Sequence, residues 1–171
     1  ADTIFRHLLY SMGRVFSAIL ISVIAGLPIG ILMGMSSKGE SLLSPLLYLA
    51  YPVPKIAFLP VYMILFGLGD LSKILLIFTI IVFQIILGVR DGIKEIPEEI
   101  HISAKSLGLN KKETIIHVIW PAILPKVFTS LRISSGIAIS ALFLSENYAT
   151  RYGIGYYIMN NWIMVDYVAM F

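Results

Sequence analysis

Cysteine is absent from the 171-residue chain. That excludes a disulfide framework, a thiolate metal site and a cysteine nucleophile, and it leaves the redox compartment unread. Charge is scarce too: 13% of residues are Asp, Glu, Lys or Arg against 58% hydrophobic, and the mean hydropathy is +0.88. An average soluble domain carries about 25% charged residues, so membrane embedding follows. No G-x-x-x-x-G-K-[ST] loop occurs, so nothing here cradles nucleotide phosphates in the usual way. Catalytic and metal-ligand spacings are missing as well: no carboxylate pair or His cluster stands out, and His101 and His117 read as surface or interface residues. A formal net charge of +3, spread out along the chain, makes a poor nucleic-acid footprint. Nor is a signal peptide visible, since Asp2, Arg6, His7 and Arg14 precede a first apolar run too long for an h-region.

What is present is apolar length. No charge lies between Arg14 and Lys38, and at about 1.5 Å per residue a helix there crosses a hydrocarbon core of roughly 30 Å. By the same measure, spans are expected at about 15–36, 43–67, 73–90 and 122–145. Gly26, Gly30 and Gly34 recur every fourth residue in the first. They mark a face where another helix approaches closely, or they are ordinary membrane-helix glycine. The second span is interrupted by "YPVPKIAFLP", where Pro52, Pro54 and Pro60 each remove a backbone donor and Lys55 places a charge near the middle. Lys55 is expected to face protein or a wet cavity, or to snorkel. In the third span Gln84 suits an interhelical hydrogen bond better than a pathway. In the fourth, Lys126 snorkels and the deeper Arg132 is expected to be paired inside a bundle.

Six of the 13 Lys and Arg residues (Arg90, Lys94, Lys105, Lys111, Lys112 and Lys126) fall around the loop 91–121, which the positive-inside rule places in the cytoplasm. The turn at 36–41 is then cytoplasmic as well. The N-terminus, "FGLGD" and the segment 146–166 face outward. In that last segment Gly153 and Gly155 suggest a turn before an amphipathic helix. Tyr156, Tyr157 and Trp162 read as interfacial anchors or as part of an outer gate, with Glu146 at its mouth or paired locally.

Within the charged loop, "SAKSLGLNKKETIIHVIWPAILP" has helix punctuation: Pro97 and the acidic Glu98 and Glu99 open a short helix, Gly108 breaks it, Lys111 starts another and Pro121 stops that one. Ala104, Gly108, Val118 and Pro121 fall in register with the pattern E-A-A-x3-G-x9-I-x-L-P. The loop therefore resembles the cytoplasmic signature of ABC importer permeases. "YPVPKIAFLPVYMILFGLGDLSKILLI", "PAILPKVFTSLRIS" and "ENYATRYGIGYYI" look like segments of the nitrate, sulfonate and taurine group. Two residues depart from the pattern: Ile102 stands in place of its Glu and Ser103 in place of its first Ala.

The resemblance implies an all-α, polytopic membrane helix bundle of the type I ABC importer permease kind, a single permease domain over 1–171 forming the core of a longer, six-span chain in the inner membrane. It implies a cytoplasmic coupling helix that docks on a separate ATPase, carried by Ser103, Ala104, Lys105, Gly108, Leu109 and Pro121. No cofactor or metal is expected on this chain; ATP and Mg belong to two partner ATPase subunits. A second permease chain, as a homodimer, and an extracytoplasmic substrate-binding protein complete the implied assembly. Lys55, Ser140 and Glu146 are the candidate pathway residues, and a lysine there hints at a small anion such as sulfonate, nitrate or taurine. The competing reading is an ion-gradient-driven secondary transporter or channel, motivated by the broken helices and by Lys55, Arg132 and Glu146 within spans.

Overall fold

Where each helix stops is decided by local chemistry that the chain spells out. A computed structural model describes residues 2–148 and 150–170, and among these every regular element is helical. Helix α1 (Asp2–Met35) ends where Ser36 takes an extended conformation and caps α2 (Ser37–Ala50), its hydroxyl accepting from the Gly39 amide at 3.2 Å. Pro52 and Pro54 lie in the break that follows. A 3₁₀ turn (Lys55–Phe58) then leads into α3 (Leu59–Phe66), with Pro60 in its first turn where the missing N–H costs nothing. Next come α4 (Asp70–Lys94), α5 (Glu98–Ser106), α6 (Lys111–Thr114), a π turn (Ile115–Ile119), α7 (Trp120–Glu146), α8 (Ile154–Ile163) and α9 (Tyr167–Met170). Among the described residues three stretches are long and apolar enough to cross a membrane: Thr3–Met35, Asp70–Lys94 and Lys111–Glu146. The broken pair Ser37–Ala50 and Lys55–Phe66 makes a fourth if it counts as one span.

Two expectations change. Helix α1 begins at Asp2 rather than near residue 15, because His7 and Arg14, which precede the apolar run, are buried and partnered. Pro121 does not stop a helix: Lys111–Glu146 is a single helical stretch. The wide π turn immediately ahead, with the Trp120 amide donating to the Ile115 carbonyl, gives the pyrrolidine ring the room that an α-turn denies it. The chain divides into two compact units, one of Ala1–Ser22, Pro54–Ile81 and Ser134–Phe171, the other of Val23–Val53 and Val82–Ile133. Their chemistry differs: a buried polar cluster ties the first together, and glycine-faced helix contacts the second.

In the second unit, Gly26, Gly30 and Gly34 of α1 lie against Ile85, Val89 and Ile93 of α4. A Cβ added at these glycines would sit 2.8, 2.7 and 2.7 Å from the opposing side chains. The pairing advances in the same direction on both helices, so the two segments run parallel. The opposite order holds for α4 and α7, where Gly88 faces Ser130 and Gly92 faces Lys126, an antiparallel contact. In lipid, where tails are as apolar as leucine, such close backbone approach supplies the packing energy that burial of apolar area supplies in water. Ile86, Ile119, Ile123 and Val127 fill the remaining core of this unit. Lys126, expected to snorkel, donates to Glu95 at 2.7 Å, and Lys94 pairs with Glu40. Gln84 donates to the Tyr51 hydroxyl at 2.8 Å. Arg132, expected inside a bundle, is exposed on the single chain.

The geometry separates two classes of glycine. Gly30→Ala places its methyl 2.9 Å from the Ile86 carbonyl oxygen as well as against Val89, and a backbone atom cannot yield as a side chain does. Gly30→Ala is expected to destabilise the detergent-solubilised protein by about 1–3 kcal/mol. Gly13→Ala, with nothing within 4 Å, should be neutral or stabilising by up to about 1 kcal/mol. Thermal unfolding of the pair measures the difference, and equal melting temperatures would contradict the close packing of α1 on α4.

Candidate functional site

Two places concentrate chemistry, one in each unit. In the second unit, α5 is opened by Pro97 in an extended conformation, with Glu98 and Glu99 in its first turn beside the positive end of the helix. It closes with two bonds: the Gly108 amide to the Lys105 carbonyl at 3.0 Å and the Leu109 amide to the Ala104 carbonyl at 3.1 Å. These are the paired bonds of a Schellman ending, which requires a left-handed residue just past the cap, and Gly108 has φ +76°. The A-x3-G spacing is thus a helix terminator written in sequence.

Asn110 starts the next helix with a reciprocal capping box: its side chain accepts from the Glu113 amide at 2.9 Å, and the Glu113 carboxylate accepts from the Asn110 amide at 2.8 Å. Helix end, turn and helix start together occupy six residues, Lys105 to Asn110, which makes the corner stiff. Of the residues singled out in the sequence, Ala104 is buried and Leu109 half-buried, while Ser103, Lys105, Gly108 and Pro121 are exposed. Around them α5 presents apolar side chains outward: Ile102 is 56% and Leu107 79% exposed. The side of Gly108 where a Cβ would point is open, with nothing within 4 Å.

In the first unit a polar cluster surrounds Glu146, which is 1% exposed. Its carboxylate accepts from Arg14 Nη1 at 2.5 Å, from Ser11 Oγ at 2.7 Å and from the Gly155 amide at 2.8 Å. Arg14 reaches the other way to Asp70, Nε at 2.8 Å and Nη2 at 2.5 Å. Lys73, 1% exposed, donates to the carbonyls of Leu68 and Gly69 at 3.2 and 3.3 Å. Two cations and two carboxylates balance.

The same cluster anchors α8. Three successive amides at its start find side-chain acceptors: Gly153 on His7 Nδ1 at 2.9 Å, Ile154 on Ser11 Oγ at 2.9 Å, and Gly155 on Glu146 Oε2. These are among the donors that a helix start leaves without intrahelical partners, and an anion is favoured there. Gly153, at φ +149°, takes a conformation L-residues avoid, and a Cβ on it would fall 2.5 Å from Glu146 Oε1. Tyr156 stacks on His7 and Tyr157 packs against it at a tilt, with centroids 6.0 and 5.2 Å away. They pack onto this cluster, whereas Trp162 is exposed and meets Tyr167 edge-on.

The three pathway candidates therefore part company. Glu146 is buried, and its carboxylate accepts from Arg14, Ser11 and the start of α8. Lys55 and Ser140 line one shallow, open cavity of about 330 Å³ with Ile56, Ile80, Ile137, Ala141 and Leu144. Lys55 is half-buried in its 3₁₀ turn and Ser140 is exposed, its hydroxyl donating to the Gly136 carbonyl at 3.0 Å. His7 and Ser11 escaped sequence reading, yet their signal was there: with Arg14, Ala18, Ser22, Gly26 and Gly30 they continue one buried stripe at helical spacing along α1.

Comparison with known proteins gives a consistent result. A family model described as "Binding-protein-dependent transport system inner membrane component" matches residues 26–170. The chain is 35% identical over 158 residues to the taurine transport system permease protein TauC of Escherichia coli K12, covering 92% of this chain and 58% of that protein. It is 34% identical over 157 residues to the putative aliphatic sulfonates transport permease protein SsuC of Bacillus subtilis 168, covering 92% and 57%. To the nitrate import permease protein NrtB of Synechococcus elongatus it is 32% identical over 152 residues, covering 89% and 54%. The chain thus spans a little over half the length of these relatives.

Proposed function

The chain belongs to the family of binding-protein-dependent transport system inner membrane components, and from that premise we propose that it is the pathway-forming core of an ATP-driven importer for a small anion, worked by a separate ATPase. Multi-pass embedding in the inner membrane is common ground for the family and for the helices themselves. The observation that carries the proposal is the corner built around Gly108. A short helix with a stiff end, apolar side chains turned outward at Ile102 and Leu107, and open space beside its glycine suits docking in a cleft of another protein.

Docking there converts closure of two ATPase subunits into movement of the membrane helices. ATP and Mg reside on those subunits. The helical stretch Lys111–Glu146 begins within six residues of α5's end, so a displacement of the docked corner acts directly on a membrane-length helix. A second permease chain completes the pathway, and an extracytoplasmic binding protein delivers the solute. The names of the relatives, which are permeases for taurine, aliphatic sulfonates and nitrate, support an anionic solute, and Lys55 with Ser140 is the candidate contact for it. Glu146 is left out of the pathway.

The test is copurification. The full-length protein, tagged and extracted gently from native membranes, should bring down a stoichiometric ATPase subunit, and uptake of the anion should require ATP. If no ATPase accompanies the protein under conditions that preserve a known importer complex, and uptake follows an ion gradient, the chain is a secondary transporter.

A further inference from the structure

Within the first unit, the cavity of Lys55 and Ser140 has a neighbour. A second, half-open cavity of about 380 Å³ is lined by Ile56, Ala57, Pro60, Met63, Leu144 and Tyr148. Ile56 and Leu144 belong to both linings, so the two cavities adjoin. Chain geometry brings this about. Lys55 and Ile56 are consecutive in the 3₁₀ turn, and Leu144 follows Ser140 by four residues on the same face of α7. Pro60 and Met63, three residues apart, share a face of α3 in the same way. The chemistry changes from one cavity to the next. The first offers an ammonium group and a hydroxyl; among the described residues the second is lined by no charged side chain, and the Tyr148 hydroxyl is its one polar side-chain group.

We propose that the transported anion carries a hydrocarbon body, which occupies this second cavity while its anionic group meets Lys55 and Ser140. This rests on the anion contact at Lys55 given above and names the class of solute that fits beside it. Volume and polarity both bear on the choice. A cavity of this size takes a small organic group, and apolar surface beyond a cationic anchor selects an amphiphilic anion, because each methylene drawn into it leaves water. An inorganic anion such as nitrate would use Lys55 and Ser140 and leave Ile56, Ala57, Pro60 and Met63 without a partner. Ala57 and Met63 then decide how bulky a body is accepted, since one is the smallest side chain of the lining and the other the most adaptable.

The probes are sodium methanesulfonate and sodium hexanesulfonate, titrated calorimetrically into the purified full-length protein in lipid nanodiscs, with empty nanodiscs subtracted. A methylene withdrawn fully from water is worth about fourfold in affinity. Because the cavity is half-open, hexanesulfonate should bind the wild type about tenfold or more tighter than methanesulfonate. Filling the cavity by Ala57→Trp, or independently by Met63→Trp, should bring hexanesulfonate down to the affinity of methanesulfonate. Lys55→Gln should weaken both anions about tenfold. Equal binding of the two sulfonates by the wild type overturns the hydrocarbon body, and so does a preference for hexanesulfonate that survives both Trp variants. In either case a loss of both anions in Lys55→Gln leaves the anion contact standing. Unchanged binding in Lys55→Gln removes that contact and this proposal with it, while copurification of the ATPase still decides the importer reading. If a Trp variant holds neither sulfonate, the wild-type ranking carries the decision.

Discussion

Arg14→Ala is expected to destabilise the folded protein by about 3–5 kcal/mol, the usual consequence of removing one member of a buried ion pair. Its guanidinium is the only basic side chain bonded directly to Glu146 among the described residues, and Glu146 is 1% exposed. Without it the carboxylate is held by Ser11 and by the start of α8 alone. Those donors are neutral, and at 1% exposure Glu146 has little access to bulk solvent. Asp70 is lost as a partner too, but half of its side chain is exposed, so water compensates there and its share is small. Glu146→Gln should cost less, about 1.5–3 kcal/mol: the amide oxygen still accepts from Gly155, and Arg14 still has Asp70. The ranking is therefore Arg14→Ala worse than Glu146→Gln. Thermal unfolding in detergent with near-ultraviolet circular dichroism reads both. A melting temperature for Arg14→Ala indistinguishable from wild type would mean that the cluster is hydrated and that α8 is not anchored through it.

The same cluster explains what was legible in the sequence and what was not. Local punctuation reads well: Ser36, the prolines of "YPVPKIAFLP", Gly108 and Asn110 each act on bonds within a few residues of themselves, so their chemistry is visible in a short window. The first helix was misjudged at its start because a charge was treated as the edge of a span. Arg14 is tolerated in α1 only because Asp70 and Glu146 meet it, and partners that distant in sequence leave no periodic mark. Glu146 was open to two readings, a mouth residue or a locally paired one, and its partners Arg14 and Gly155 show the local pairing. Pro121 shows the reverse error. The rule that proline ends a helix is sound for α-turns, and it failed here because the preceding turn is π. The glycine ladder of α1 was visible as spacing, but its partners Ile85, Val89 and Ile93 were not. Apolar residues recur throughout α4, and only the fold says which face is met.

Gly108→Val is expected to abolish ATP-driven uptake, at least tenfold below wild type, with the protein still inserted and the helical core intact. Two requirements meet at this glycine. The first is conformational: at φ +76° a Cβ costs roughly 1–2 kcal/mol, and a β-branched residue strains further. Relief of that strain unwinds the bonds from Gly108 to Lys105 and from Leu109 to Ala104, so the end of α5 frays and the corner loses its stiffness. The second is approach: nothing among the described residues lies within 4 Å of the missing side chain, which leaves room for the proposed docking partner. Asparagine separates the two, because it tolerates the left-handed conformation but fills the space. Gly108→Asn should therefore keep the helix end and still lose ATPase copurification, whereas Gly108→Val loses both. Proteoliposome uptake, the amount of inserted protein and the copurified ATPase are the three readouts. Normal uptake by Gly108→Val would remove the corner from the coupling path, because a displacement carried through a frayed helix end is dissipated before it reaches the membrane-length helix that starts at Lys111.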